Sequence, residues 1–168
     1  MYNKTKKILI SMLLASSFAS ATPLMASDSY NMGYNEDTIG VVRNLKVAKN
    51  PKWVSSIELQ NGKKVFFCSP KSMFEFYHRP GKWFDVGVKS EKDFKEILVI
   101  DFDTLKPVNA KGAFYVYGTN ATSPAGDDLV AFDSYKTAEE FAKKHNGKRV
   151  FGFRDVSDAL IRLLNGRI

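Results

Sequence analysis

The stretch Val54-Ser55-Ser56-Ile57-Glu58-Leu59-Gln60-Asn61-Gly62-Lys63-Lys64-Val65-Phe66-Phe67-Cys68-Ser69-Pro70 carries the local signal on which the fold turns. Two β-prone runs, Val54–Gln60 and Lys63–Cys68, flank Asn61-Gly62, and Asn-Gly between apolar runs is the strongest short-range hairpin signal. Ser69-Pro70 follows as an N-cap and first helical residue, and Met73, Phe76 and Tyr77 supply an i, i+3, i+4 apolar face that Pro80-Gly81 ends. A two-residue turn pairs Ile57 with Phe66 and Ser55 with Cys68, which places Cys68 on the apolar face.

Working outward, Phe94–Asp103 alternates as a strand, Thr104–Pro107 reads as a turn, and Ala113–Gly118 as another strand. The hairpin-and-helix order then recurs: Leu129–Phe132 is a strand, Asp133-Ser134 a cap, Ala138, Phe141, Ala142 and His145 a helical face, and Gly147 a stop. A shift of 65 positions lays Lys71 on Lys136, Glu75 on Glu140 and Phe76 on Phe141, so the pattern predicts an internal repeat. Arg149–Phe153 gives a last strand, and Asp155 caps a final helix facing inward through Val156, Ala159, Leu160, Leu163 and Leu164. The fold class is α+β, with two similar ββα-containing lobes. The boundaries follow: a leader at 1–21, a polar segment and first strand at 22–50, a first lobe at 51–118 and a second at 119–168.

The leader reading rests on three lysines before an apolar run, Ile8–Ala21, closed by Ala19-Ser20-Ala21; cleavage after Ala26 is the second choice. Neither site carries a cysteine for lipid attachment. Removing Lys4, Lys6 and Lys7 takes the formal charge from +7 to +4, and the remaining charges alternate in sign, which argues against nucleic-acid binding. No later stretch has the apolar length of a membrane span. The protein is expected to be soluble and exported to the periplasm.

The 168 residues are 44% hydrophobic, enough for a core, and contain one cysteine and two histidines. That excludes an intramolecular disulfide, a Cys-x-x-Cys redox pair and an all-cysteine zinc site. Cys68 sits before a helix start, where a thiolate or soft ligand is favoured, whereas the strand register reads it as a core thiol. Met73 offers a thioether for Cu(I) but shares the stripe of Phe76 and Tyr77. Met32, in Tyr30-Asn31-Met32-Gly33, lies in a polar stretch without an evident core role. His78 and His145 end helices, where a protonated imidazole suits the dipole. Asp101 and Asp103 project from one strand face as a solvated pair, and Ser123-Pro124-Ala125-Gly126-Asp127-Asp128 reads as the loop joining the lobes.

Lys111-Gly112-Ala113-Phe114-Tyr115-Val116-Tyr117-Gly118, the Ser-Pro-Ala-Gly loop, Leu129–Phe132 and His145-Asn146-Gly147-Lys148 together resemble the NosL family of nitrous oxide reductase accessory proteins. The resemblance extends back through Asp101-Phe102-Asp103 and Phe67–Phe76. It implies an organomercurial-lyase-like fold, no enzymatic activity, and a periplasmic role in delivering Cu(I) to a copper enzyme or its assembly machinery. The family loop reads Gly-Pro-Met-Gly, its methionine implicated in Cu(I) binding; Ala125 stands at that place here. Met32 matches the methionine of the family's N-terminal Cys-x-Met, with Tyr30 in place of the cysteine. Met32, Met73 and Cys68 are accordingly the candidate metal donors, and a metal-free docking protein of the same fold is the alternative. An enzyme using Cys68 ranks below both.

Overall fold

The computed structural model describes residues 32–167; the leader and its cleavage positions lie outside them. A small hairpin of β1 (Ile39–Gly40) and β2 (Leu45–Lys46) precedes the hairpin of β3 (Ser55–Leu59) and β4 (Lys64–Phe67). The register of the latter differs from the sequence expectation by one residue. The Leu59 N–H donates to the Lys63 carbonyl at 2.8 Å and the Gly62 N–H to the Leu59 carbonyl at 2.9 Å, so the turn holds Gln60, Asn61 and Gly62. Gly62 takes a φ of +84°, the left-handed residue that closes a three-residue hairpin as a bulge. Ile57 therefore faces Val65, and Ser55 faces Phe67. Cys68 shares a face with Phe66 but not with Ile57.

Ser69 caps α1 (Pro70–His78) by accepting from the Ser72 N–H. β5 (Phe94–Ile100) and β6 (Pro107–Asn109) complete a sheet of order β4-β3-β5-β6. β7 (Phe114–Ser123) and β8 (Gly126–Phe132) form the next hairpin, followed by α2 (Tyr135–Lys144) and β9 (Arg149–Gly152), in a second sheet of order β8-β7-β9. In both sheets the hairpin's first strand is central and pairs antiparallel with the strand that follows the helix. The 118/119 division falls inside β7, and the Ser123–Gly126 turn is the tip of the β7–β8 hairpin, not a link between lobes. The final helix, α3 (Asp158–Leu164), is capped by Ser157, which accepts from the Leu160 N–H. Asp155 instead accepts from the Gly152 N–H at 3.1 Å, and the inward face is Leu160, Ile161 and Leu164 while Leu163 is exposed.

The layers follow from strand alternation. Ile57, Val65, Phe67, Ile97 and Val99 of the first sheet pack on Met73, Phe74 and Phe76 of α1, which meet Tyr115, Leu129 and Phe151 of the second sheet on the other side. The outer face of the second sheet, Val116, Val130 and Phe132, packs on Ala138 and Phe141 of α2. The outer face of the first sheet, Val54, Cys68, Leu98 and Ile100, is covered by Met32 and Val47.

Asp101 departs from its reading as a solvated strand residue. It is 3% exposed and accepts from the Asp103 and Thr104 N–H groups at 3.1 and 2.7 Å, the Thr104 hydroxyl at 2.8 Å and, across the sheets, the Asp133 N–H at 2.8 Å. A buried carboxylate is tolerated where donors surround it, and this one ties the first sheet's last turn to the start of α2.

Candidate functional site

The β7–β8 turn is held from inside. Pro124 and Ala125 form its tip, and Gly126 leaves with a φ of +86°. The Ser123 hydroxyl accepts from the Ala125 N–H at 2.9 Å and donates to Asp128 at 2.7 Å. Asp128 also accepts from the Leu129 N–H at 2.8 Å and from the Lys71 backbone N–H, in the first turn of α1, at 2.7 Å. Burial pushes the Asp128 carboxyl above its usual range, against the pull of these donors.

Lys71 lies within the same network and is 1% exposed. Its ammonium donates to the Ala125 carbonyl at 2.6 Å and to the Leu164 carbonyl at 3.3 Å. Burial lowers its pKa, opposed by the charge of Asp128. One side chain thus joins the N-terminus of α1, the hairpin tip and the end of α3. Lys136, its counterpart under the 65-residue shift, is an exposed residue pairing with Glu140. Neither Lys71 nor Asp128 stands out in the sequence, where the first resembles an ordinary helix lysine and the second a loop acid. A cleft of about 350 Å³, with Asp128, Lys148 and Leu164 in its lining, opens beside this network.

The candidate sulfur donors fall on two sides of the first sheet. Met73 is fully buried in the inter-sheet core. Met32 and Cys68 share the outer cluster, against whose edge Tyr34, Phe66 and Ala125 pack. Met32 is 2% exposed, so it fills a core position that its polar sequence neighbours do not suggest, and the Tyr34 and Phe66 rings meet edge-on at 6.4 Å. The Cys68 sulfur lies 3.9 Å from the Ser72 hydroxyl. Burial raises its pKa, so the helix start beside it does not make it a thiolate. Among the described residues no group of three His, Cys, Asp or Glu side chains converges as a metal site.

The histidines stand apart from this cluster. His78 donates through Nε2 to the Val156 carbonyl at 2.9 Å and stacks on Phe74; burial lowers its pKa, so the neutral ring, not the protonated form favoured by the helix dipole, is the one housed here. His145 stacks on Phe141 at 4.1 Å between ring centroids.

The NosL family model matches residues 31–161, a span covering both sheets and the Ser123–Gly126 turn. This chain belongs to the NosL family. The fold of this NosL-family protein is similar to that in the crystal structure of the copper chaperone NosL from Shewanella denitrificans, with a TM-score of 0.67, 20% sequence identity, and 78% of this chain and 98% of that chain covered. At that identity the likeness concerns the fold. No curated protein matches the sequence. Among the described residues, no helix is long and apolar enough to cross a membrane.

Proposed function

We propose that this NosL-family protein is an exported, periplasmic copper accessory protein, without catalytic activity, that carries Cu(I) to a copper enzyme or its assembly machinery, nitrous oxide reductase being the client the family resemblance names. The observation that carries this reading is the placement of Met32 and Cys68 in one buried cluster bordered by Ala125. A thioether and a thiol suit soft Cu(I) better than zinc, and no histidine joins them. Uptake requires the segment bearing Met32 to lift from the sheet and Cys68 to give up its proton, so binding is slow, pH-dependent and weaker than at a full sulfur set. Met73 contributes only if α1 separates from the sheets. The shared strand order of the two sheets supports reading them as one repeated ββαβ unit of organomercurial-lyase type.

The alternative, a docking protein of the same fold without metal, draws on Lys71. Its ammonium on the Ala125 carbonyl puts positive charge under the turn and opposes a second cation there. Anaerobic titration with Cu(I) against a competing chelator decides. Uptake by the wild type, weakened by Met32→Ala and strengthened by Ala125→Met, supports the carrier. No uptake by the wild type, restored by Ala125→Met, establishes the docking reading instead.

A further inference from the structure

Residues 32–47 cross the edge of β4 as a strap. On one side Met32 and Val47 cover the outer face of the first sheet beside Cys68, and on the other Val41 and Val42 pack against the inter-sheet core. Between them the Val41 N–H donates to the Phe66 carbonyl at 2.9 Å. Gly40 is buried so close to β4 that a Cβ there would lie 3.1 Å from the Cys68 backbone nitrogen. The strap therefore lies directly on the strand end that carries Cys68. Its Asp37–Lys46 ion pair is internal, whereas Arg43, in the β1–β2 turn, reaches out of it.

Arg43 ends in a cluster supplied by two other elements. Its Nη2 donates to Glu75 of α1 at 2.9 Å and to Oδ1 of Asn165, just past α3, at 2.6 Å. Glu75 is 5% exposed and also accepts from Asn165 Nδ2 at 3.0 Å and Arg167 Nη1 at 2.7 Å. The N–H groups of Gly166 and Arg167 donate to the Leu163 and Arg162 carbonyls at 2.9 Å each, which turns the chain back past the helix end and brings Arg167 to α1. The Leu164 carbonyl, one residue earlier, takes the Lys71 ammonium that also holds Ala125. Residues 164–167 thus tie down both the strap and the turn that border the Met32–Cys68 cluster. We propose that they are a latch: release of Arg43 from Glu75 and Asn165 lets the strap lift and uncovers Met32 and Cys68, a control on access whose purpose, though not its mechanics, rests on the carrier reading.

The tie is built to release. Arg43 Nε is buried with no hydrogen-bond partner among the described residues, and the cost of that unpaired donor is relieved by water when the strap opens. One carboxylate serves two guanidiniums, and the Arg167 side chain is 47% exposed, so solvent reaches the cluster and weakens its outer ion pair. The strap's apolar hold is Met32 and Val47 on one side and the half-buried Val41 and Val42 on the other. That is far less than the sheets beneath it bury, and segments so held open well below the free energy of global unfolding.

The rate at which dithionitrobenzoate labels Cys68 in the metal-free exported protein tests this, since the chain has one cysteine and the signal has one source. Arg43→Met should speed labelling about tenfold and Arg167→Gln about threefold, with rates that stay flat in low urea and rise only near the unfolding transition. Phe141→Leu, in the cluster on the far face of the second sheet, lowers global stability without touching the strap and should label at the wild-type rate. Unchanged labelling in both arginine variants overturns the proposal. So does acceleration that follows lost global stability equally in all three, because Cys68 would then be reached by unfolding of the whole protein. Titrating the same variants with Cu(I) separates the latch from the carrier reading. Faster labelling in the arginine variants without Cu(I) uptake supports the latch and overturns the carrier, whereas unaccelerated labelling overturns the latch even where Cu(I) is taken up.

Discussion

The Lys71 ammonium donates to the Ala125 carbonyl at 2.6 Å, so the hairpin tip of the second sheet rests on a buried charge carried by α1. The same ammonium reaches the Leu164 carbonyl, and Asp128 accepts the Lys71 backbone N–H. Replacing the lysine removes the donor from two carbonyls and the counter-charge from a buried carboxyl. Lys71→Met should therefore cost about 3 kcal/mol in urea unfolding, with the amides around Ala125 losing hydrogen-exchange protection. A loss below about 1 kcal/mol would mean the ammonium is not a tie.

Cys68 should react slowly with a thiol reagent in the native state, because it is 2% exposed and its pKa is raised by burial. Labelling as fast as in denaturant would show that the outer cluster opens readily. Cys68→Ser places a hydroxyl among Val54, Leu98 and Ile100 and should cost roughly 1–3 kcal/mol, measured by denaturant unfolding.

His78 gives the fold a pH dependence of definite sign. Burial depresses its folded-state pKa below the ordinary 6.5, so the unfolded chain binds the proton more readily. Its contribution is present above 6.5 and is lost as pH falls through the folded-state value. The stability difference between wild type and His78→Gln should shrink over that interval, as followed by urea unfolding at stepped pH. A difference independent of pH there contradicts the neutral, buried ring.

Asp101→Ala should destabilise by about 2–3 kcal/mol, since it leaves the donors of Asp103, Thr104 and Asp133 without their acceptor. Asp103→Ala serves as the control. Equal effects of the two substitutions on thermal unfolding would rule out the special role of Asp101 in joining the sheets.

Local signals were legible where a residue type dictates backbone or face. Asn61-Gly62 marked the hairpin, Ser69-Pro70 and Ser134 marked helix starts, and Phe76 and Phe141 marked inward faces, because turn chemistry, capping and helical period act over a few residues. The motif around the Ser-Pro-Ala-Gly turn was enough to suggest the family. The hairpin register was not legible, because both faces of the first sheet are covered: alternation puts Ile57, Val65 and Phe67 on one and Phe66 and Cys68 on the other, and hydrophobicity alone does not choose between a two- and a three-residue turn.

What only the tertiary structure decided lies in contacts between distant segments. Met32 sits among polar sequence neighbours and becomes core because its segment crosses the outer face of the first sheet. Lys71 occupies a position that local rules assign to solvent, and it is buried because carbonyls from Ala125 and Leu164 converge on its ammonium. Asp101 and Asp128 are ordinary acids in the sequence whose donors come in part from the other half of the chain. Burial of a charge depends on partners that meet it only after folding, and sequence spacing encodes a residue's face without encoding what will lie opposite it.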